Sequence, residues 1–388
     1  MAERHGVLGV SVVAFAATML ARLVLSPVVP RIIAEFNVTK SAVGIALSGM
    51  WAAYAVLQFP SGVLGERFGE RQVVVAALGL TALGSFLVGL APSFPMFALV
   101  TLALGVGAGL YFSPATSLLT RLFEETGGAL SIHSAGASIG GLVAPAVAAA
   151  VAARYGWRAA AMVGAAVAGL VAVLYAIAVH KTQPTHPNLV LRDRIRPSVL
   201  RSLLGRPEIA FTTGVGVTTV FAWQAVASFL PTFLVEYRSF TETEAGLAFS
   251  GLFVLTTVAL PVAGRLSDRY SRDGILGLTL LLAALGLVGL VVIPGRLGLL
   301  VGGGSLAIGL AWGGVVQSRF MDRFAPEEQG TGFGLVRTVY MLLGASGSAV
   351  TGTLAAVAGW PVAFGAVAAL LLAAASSLTI NRLLGLGL

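Results

Sequence analysis

The sequence predicts an all-α membrane protein of twelve transmembrane helices in two pseudo-symmetric bundles of six. Composition is the first reason: 57% of the 388 residues are hydrophobic and only 10% are charged, whereas soluble domains carry about 25% charged residues. An internal repeat is the second. The charged turn at 62–71 returns at 264–270, an offset of 202 residues. Repeats of this kind indicate a membrane protein built from two related halves.

Twelve segments are long and apolar enough to cross a bilayer, which takes about 20 residues as a helix. The first follows Met1–His5 directly. We interpret it as a span because it is longer than the apolar core of a signal peptide and has a second copy. The predicted spans are 7–29, 41–61, 72–91, 95–119, 128–153, 157–179, 209–235, 245–264, 274–293, 297–320, 330–356 and 360–380.

These spans divide the chain into an N-terminal bundle at 1–179, a cytoplasmic linker at 180–208 and a C-terminal bundle at 209–388. The linker is rich in arginine. Its second part, Pro197–Leu204, has proline at a first helical position and leucines at helical spacing, which predicts a short interfacial helix on an anionic membrane surface. A plain connecting segment is the simpler interpretation, and a lipid or partner site is another.

The net charge of +8 reflects membrane orientation. With a cytoplasmic N-terminus, 16 of the 24 lysines and arginines fall on the cytoplasmic side. This bias predicts a multi-pass protein of the cell membrane with both termini in the cytoplasm. The basic residues form no arm or stripe beside aromatic residues, which argues against nucleic-acid binding. Without cysteine, and with four histidines that lack ligand spacing, we expect no metal site and no cofactor.

Twelve spans with this turn after spans two and eight resemble the major facilitator superfamily. Its signature reads Gly-x-Leu-x-Asp-Arg-x-Gly-x-Arg, and Glu66 stands here in the aspartate place. A Gly-Trp pair before span six, Gly156-Trp157, and its echo Gly359-Trp360 are also similar to the family. The matching positions are Gly62, Leu64, Arg67, Gly69 and Arg71 in the first copy, and Gly264, Leu266, Asp268 and Arg269 in the second.

The resemblance implies that these turns form a cytoplasmic gate. A carboxylate such as Glu66 or Asp268 is favourable near a helix N-terminus, and Arg67, Arg71 or Arg269 can pair with carboxylates such as Glu124, Glu125 or Asp322. Simple positive-inside anchoring is the alternative. Two departures from family patterns weaken a proton-coupled drug antiporter. Thr101 stands where an arginine is common before the glycines of span four, and span five lacks the Gly-Pro pair.

Arg22 lies well inside span one. A charged residue at the centre of a membrane helix costs about 2.5–3.5 kcal/mol of insertion free energy. Ser11, Thr18 and Ser26 share its helical stripe, which predicts a polar cavity lining. In the second half the equivalent position holds Gln224. We expect Arg22 to contact substrate, although it lies far enough along the span to extend to the outer surface instead.

Two further basic-capable residues occupy equivalent spans. Arg337 lies early in span eleven with Tyr340 one turn on, and His133 lies in the counterpart region of span five. Together with Arg22 they predict a positive cavity for an anion, because guanidinium groups suit carboxylate and phosphate oxygens. A structural imidazole and a snorkelling arginine are the alternatives for His133 and Arg337.

Aromatic and amide side chains accompany these charges. Trp51, Tyr54 and Gln58 form a stripe on span two, and Trp223 adjoins Gln224. They are predicted to contact the organic part of a substrate, although helix packing explains them equally well. All 16 carboxylates fall in predicted loops or near helix ends, which argues for an anionic or neutral substrate.

These observations predict a secondary transporter that works by alternating access on a small organic anion, as a monomer, with a coupling proton or counter-substrate as a further partner. An exporter of neutral or amphipathic compounds is the first alternative. A second is an intramembrane hydrolase using Ser138 and His133, whose Gly-x-Ser-x-Gly pattern lies inside an apolar helix rather than a nucleophile elbow. A receptor that binds without transporting is the third.

Overall fold

The computed structural model describes residues 2–124, 126–188, 197–325 and 331–388. Over these ranges the chain is helical without strands, and twelve helices are long and apolar enough to span a membrane. Glu125 and the linker residues Arg192, Arg194 and Arg196 lie outside the described residues. The spans are Arg4–Phe36, Lys40–Phe68, Glu70–Leu90, Phe94–Leu122, Thr126–Tyr155, Trp157–Ala178, Pro207–Glu236, Glu242–Arg269, Arg272–Val292, Gly295–Met321, Gly332–Val357 and Trp360–Leu384.

The predicted fold class is confirmed, and the main difference lies in the ends of spans two and eight. Both helices continue through the charged turn, to Phe68 and Arg269, instead of stopping before it. Pro60 and Pro261 sit inside these helices and do not end them. In membrane helices, neighbouring side chains can satisfy the backbone groups that a proline frees.

Four spans are broken, which hydropathy alone does not reveal. Span one consists of the helix Ala2–Leu23, a 3₁₀ turn at Ser26–Val28 and the helix Val29–Phe36. Span four is Phe94–Gly109 followed by Phe112–Leu122, and span eleven is Thr331–Gly344 followed by Gly347–Val357. Span ten consists of the helix Gly295–Gly298, a π turn at Leu299–Gly303, and the helices Gly304–Gly309 and Gly313–Met321.

The described linker contains the predicted short helix. It runs from Pro197 to Leu204, with proline as its first residue and Leu203 buried. Its place on a membrane surface stays a prediction.

The chain forms two compact units. One comprises Met1–Val38, Ala46–Arg196 and Glu242–Ser250, and the other comprises Thr39–Ile45, Pro197–Thr241 and Gly251–Leu388. Each unit therefore contains most of one half of the chain, together with the first turns of one span from the other half.

Glycines bring helix backbones together in the first unit. A Cβ on Gly136 or Gly140 of span five would overlap the main chain of Val12 or Ala16 in span one. A Cβ on Gly105 of span four would overlap the Met50 carbonyl of span two, and one on Gly109 would lie 2.7 Å from the Tyr54 carbonyl oxygen. Spans one and two are thus held close to spans five and four, as small residues allow in membrane helices.

The second unit repeats this device between spans seven and eleven. A Cβ on Gly347 would overlap the Phe221 carbonyl, and one on Gly344 would lie 2.6 Å from the Val220 side chain. This contact fixes the turn that precedes Trp223 and Gln224.

Candidate functional site

Arg22 is buried in the first unit, in the last turn of the helix Ala2–Leu23. Its side chain is only 1% exposed, so it does not extend to the surface. Nε donates to the Thr18 carbonyl at 3.0 Å and Nη2 approaches the Met19 sulfur at 3.8 Å. Nη1 is buried and has no hydrogen-bond partner among the described residues. A guanidinium held in this way keeps donor capacity for a ligand.

Two aromatic rings of span two hold the Arg22 guanidinium. Its Cζ lies 4.1 Å from the ring centroid of Tyr54 and 4.7 Å from that of Trp51. Both rings are buried, and they meet each other edge to face at 5.8 Å. Cation–π contacts stabilise a buried cation. The two rings therefore offset part of the cost of burying Arg22, while its Nη1 has no hydrogen-bond partner among the described residues.

Gln58 lies on the same face of span two, one turn beyond Tyr54. Its side chain is buried, and neither Nε2 nor Oε1 has a hydrogen-bond partner among the described residues. The main chain of this turn is fixed, because the Gln58 carbonyl accepts from Ser61 Oγ at 2.8 Å and from Ser113 Oγ at 2.5 Å. Span four supplies Ser113 and also Gly109, so it positions the whole stripe.

The predicted polar stripe of span one is buried along its length. Ser11, Thr18 and Ser26 are all at most 3% exposed. Ser11 Oγ donates to the Val7 carbonyl and Thr18 Oγ1 to the Phe15 carbonyl, so these hydroxyls satisfy their own helix. The stripe thus supports the helix, and Arg22 is its member with unused donor capacity.

His133 lies in a buried network of spans one, four and five. Tyr111 donates its hydroxyl to the Ser11 carbonyl at 2.6 Å, and its oxygen lies 3.0 Å from His133 Nε2. Because a tyrosine hydroxyl has one proton, its oxygen must accept from Nε2–H. The tautomer inferred in this way leaves a lone pair on Nδ1, which has no partner among the described residues. The imidazole stacks on Phe15 with centroids 5.1 Å apart.

Gln224 occupies the equivalent place to Arg22 in the second unit. It is 2% exposed, and its Oε1 has no hydrogen-bond partner in the described chain. Next to it, the hydroxyls of Ser228 and Ser348 form a hydrogen bond with their oxygens 2.6 Å apart. Trp223 contacts Phe253 edge to face at 5.5 Å. The second unit thus offers a neutral acceptor where the first offers a cation.

Arg337 and Tyr340 interact one turn apart on span eleven. Arg337 is half-buried, whereas Tyr340 is buried and stacks on Phe320 at 5.8 Å. Gly216 of span seven lies against this ring, where a Cβ would approach it to 3.1 Å. Both predicted residues therefore belong to the second unit, on the face of span eleven next to span seven.

The first charged turn is built around the end of span six. Arg71 Nε donates to the Val179 carbonyl at 3.0 Å and Nη2 to the Ala176 carbonyl, so the guanidinium caps that helix. Gly69 has φ +92°, and a Cβ there would overlap the Thr182 carbonyl. Glu66 Oε2 lies 3.3 Å from His186 Nδ1. Arg67 stacks on Phe68, and a Cβ on Gly62 would meet the Ser113 side chain at 3.5 Å.

The second turn uses different partners. Arg272 bonds both Asp268 and Asp322, the latter at 3.0 Å. Asp322 therefore pairs with Arg272, a residue that the sequence pattern did not single out. Arg269 stacks on Tyr270 at 5.5 Å. A Cβ on Gly264 would meet nothing within 4 Å, so no tight contact requires glycine there.

Two ion pairs next to these turns, each with one buried member, escaped sequence reasoning. Glu70 is 1% exposed and pairs with Arg121 at 2.5 Å. Arg319 is 0% exposed and donates to Asp273 at 2.7 Å, to Thr212, and to the main-chain oxygen of Leu388 at 2.6 Å. The 202-residue offset does not relate the two pairs, because it takes Glu70 to Arg272 and Arg121 to Arg323. Burial and the nearby Arg319 charge lower the pKa of Arg323.

The described carboxylates are distributed as predicted. Each lies within the first or last turn of a helix or outside the helices. Ser138 lies within the helix Thr126–Tyr155, so its backbone is not the strand–turn–helix of a nucleophile elbow.

The family model described as Major Facilitator Superfamily matches residues 11–315 and 212–382. Among solved structures, a bacterial homologue of the human lysosomal transporter Spinster, in an inward-facing and occupied conformation, superimposes with a TM-score of 0.84. The match covers 97% of this chain and 96% of that one at 16% identity.

Two curated relatives are the probable sulfoacetate transporter SauU of Cupriavidus necator and the probable hexose phosphate transport protein of Chlamydia trachomatis. The first is 26% identical over 70% of this chain, and the second 24% identical over 67%. The matches cover 66% and 64% of these relatives, so the chain spans just under two thirds of their length.

Proposed function

Because this multi-pass membrane chain belongs to the Major Facilitator Superfamily, we propose that it is a secondary transporter that moves a small organic anion by alternating access. The Arg22 site carries the proposal. It combines a buried guanidinium, two aromatic rings that hold it, and an Nη1 donor without a partner among the described residues.

The chemistry of this site favours an anion over a cation. A cationic or protonatable substrate is usually met by a carboxylate inside the membrane, but the described carboxylates lie at helix ends or beyond them. A guanidinium instead matches carboxylate, sulfonate or phosphate oxygens. The names of the two relatives, a probable sulfoacetate transporter and a probable hexose phosphate transport protein, are consistent with an anionic substrate.

The remaining predicted residues take roles within this proposal. Within the second unit, the proposed substrate-binding residues are Gln224, Trp223, Arg337 and Tyr340. Within the first unit, His133 is proposed to offer an acceptor at Nδ1. The two charged turns act as the cytoplasmic gate. Its first copy comprises Gly62, Glu66, Arg67, Gly69 and Arg71, and its second comprises Gly264, Asp268 and Arg269.

Counterflow in proteoliposomes tests the proposal. Liposomes loaded with a candidate carboxylate, sulfonate or sugar phosphate should accumulate the labelled anion. Arg22→Gln should lower its uptake at low concentration by about 10- to 100-fold, because a hydrogen bond to a charged group contributes about 1.5–3 kcal/mol.

The matched control is Arg154→Gln, which removes the same charge from an exposed position in the last turn of span five. Its uptake should equal that of the wild type. Unchanged uptake in Arg22→Gln would rule out the role of Arg22, and loss of uptake in both variants would point to a general charge effect.

Both termini are placed in the cytoplasm by the proposal, in line with the positive-inside bias. Fluorescent and phosphatase reporters fused after Leu388 measure this. We expect the fluorescent fusion to be bright and the phosphatase fusion to be inactive. The opposite pattern would show that the termini lie outside the cytoplasm.

A further inference from the structure

Gln58 presents an amide with both of its polar atoms unused. The side chain is 4% exposed, and neither Nε2 nor Oε1 finds a partner among the described residues. Leaving a buried donor and a buried acceptor unpaired is unfavourable, so a purely structural role would favour an apolar residue here. A ligand that pairs with both atoms would remove the penalty.

The position of this amide is held independently of its polar atoms. Ser61 and Ser113 both donate to the Gln58 carbonyl, and Gly109 allows the preceding turn to approach span four. Backbone and packing thus fix where the side chain begins. A recognition group that is fixed before ligand binding loses less freedom when the ligand binds.

The distance of Gln58 from the cationic centre follows from helix geometry. Tyr54 and Gln58 are four residues apart, so they share a helix face with a rise of about 6 Å between them. The Cζ atom of Arg22 lies 4.1 Å from the ring centroid of Tyr54. The Gln58 side chain therefore starts roughly one helical turn beyond the ring that contacts the guanidinium, which would hold the anionic end of a substrate.

The chemistry of the amide selects the partner. Gln58 offers an acceptor at Oε1 and two donors at Nε2. A carboxylate or sulfonate oxygen can only accept, so it would leave Oε1 unpaired. A hydroxyl both donates and accepts, and it can satisfy either side of the amide or bridge both.

We propose that Gln58 is a specificity-determining residue that reads a hydroxyl of the substrate, about one helical turn from its anionic group. The substrate class is then a hydroxylated organic anion several bonds long, such as a sugar acid or a sugar phosphate. This inference depends on the proposed function, because Arg22 supplies the anionic end of the same site.

Competition in the counterflow assay tests the inference. Gluconate and hexanoate have the same charge and number of carbons, and differ in their hydroxyls. In the wild type, gluconate should inhibit uptake of the labelled anion at least about tenfold more strongly than hexanoate does. A site built to hydrogen-bond a hydroxyl rejects the analogue that lacks it. Gln58→Leu should reduce this preference to about twofold or less, because gluconate loses its hydroxyl contact whereas hexanoate inhibits at least as strongly as in the wild type.

Gln72→Leu is the matched control. Gln72 belongs to the same unit, but its amide is occupied, with Nε2 donating to the Thr182 carbonyl at 3.0 Å. This variant should keep the preference for gluconate and melt at a lower temperature. Gln58→Leu should melt at the wild-type temperature or higher, because it removes unpaired polar atoms. A merely structural glutamine would show the reverse order.

Two outcomes separate failure of the inference from failure of the proposed function. If gluconate and hexanoate inhibit the wild type equally and inhibition requires Arg22, the role of Gln58 is wrong while anion transport stands. If the wild type neither binds nor exchanges organic anions of any of these classes, the proposed function fails, and the inference fails with it.

Discussion

At the scale of single residues, the polar network around Tyr111 shows how a buried side chain fixes its neighbours. Tyr111 is 1% exposed and bonds both the Ser11 carbonyl and His133 Nε2. Since its one proton goes to the carbonyl, the network sets the histidine tautomer. The tautomer with its lone pair on Nδ1 is the consequence.

Tyr111→Phe should destabilise the protein by about 1–3 kcal/mol, because it leaves the Ser11 carbonyl and His133 Nε2–H buried without this partner. The thermal melting temperature of the purified protein in detergent measures the effect. Tyr155→Phe, at a position that is 67% exposed, removes the same hydroxyl and should leave the melting temperature unchanged. Equal melting of both variants and the wild type would show that the Tyr111 bonds contribute nothing net.

At the scale of elements, the glycines of span four decide where span two lies. Gly105 and Gly109 face Met50 and Tyr54, so these glycines of span four have a direct packing function. The stripe of Trp51, Tyr54 and Gln58 depends on this close approach.

Gly109→Ala should therefore lower transport at least about tenfold, because overpacking costs about 1–3 kcal/mol. Its melting temperature should fall as well. The added Cβ would lie 2.7 Å from the Tyr54 carbonyl oxygen and 2.9 Å from the Leu57 side chain. Gly79→Ala is the control, because a Cβ there meets nothing within 4 Å. That change should be neutral or slightly stabilising, given the higher helix propensity of alanine. Normal transport by Gly109→Ala would contradict the packing argument.

Much of the element pattern could be predicted from the sequence, because hydropathy and charge act locally. The twelve spans and the helix at Pro197–Leu204 follow from such local signals. The breaks at Ser26–Val28 and between Gly344 and Gly347 do not, because proline and glycine also occur inside unbroken spans, as Pro60 does in span two.

Contacts between distant segments were harder to predict. Arg71 was expected to pair with a carboxylate, yet it caps the end of span six through main-chain oxygens, which carry no sequence signal. The Tyr111–His133 bond likewise depends on how spans four and five pack. The placement of Tyr54 and Trp51 over Arg22 needed the tertiary structure as well, although each residue had been singled out.

At the scale of the whole molecule, the buried pair of Arg319 and Asp273 ties several spans of the second unit together. Arg319 also donates to Thr212 of span seven, and Asn381 of span twelve donates to Asp273 at 2.7 Å. One buried charge thus connects spans seven, nine, ten and twelve.

Asp273→Asn should cost about 3–5 kcal/mol of stability, because it leaves a buried guanidinium without its counter-charge. The double variant Asp273→Leu with Arg319→Met should lose less than the sum of its single changes, since no isolated charge remains. Denaturation in detergent measures both. Arg272→Gln, which breaks the more exposed pairs with Asp268 and Asp322, should cost about 0–1 kcal/mol. Additive losses in the double variant would show that the two residues act independently.

The composition of the two units has a consequence for how the protein can be divided. The first unit includes Glu242–Ser250, where Arg31 pairs with Glu242 at 2.7 Å and Gly246 lies against Pro145 and Ala149. The second includes Thr39–Ile45, where Lys40 pairs with Glu236 at 2.9 Å. Neither unit is therefore encoded by one uninterrupted stretch of the gene. A chain cut in the linker yields two fragments that each lack a piece of their own unit, and both fragments must be present for either unit to be complete.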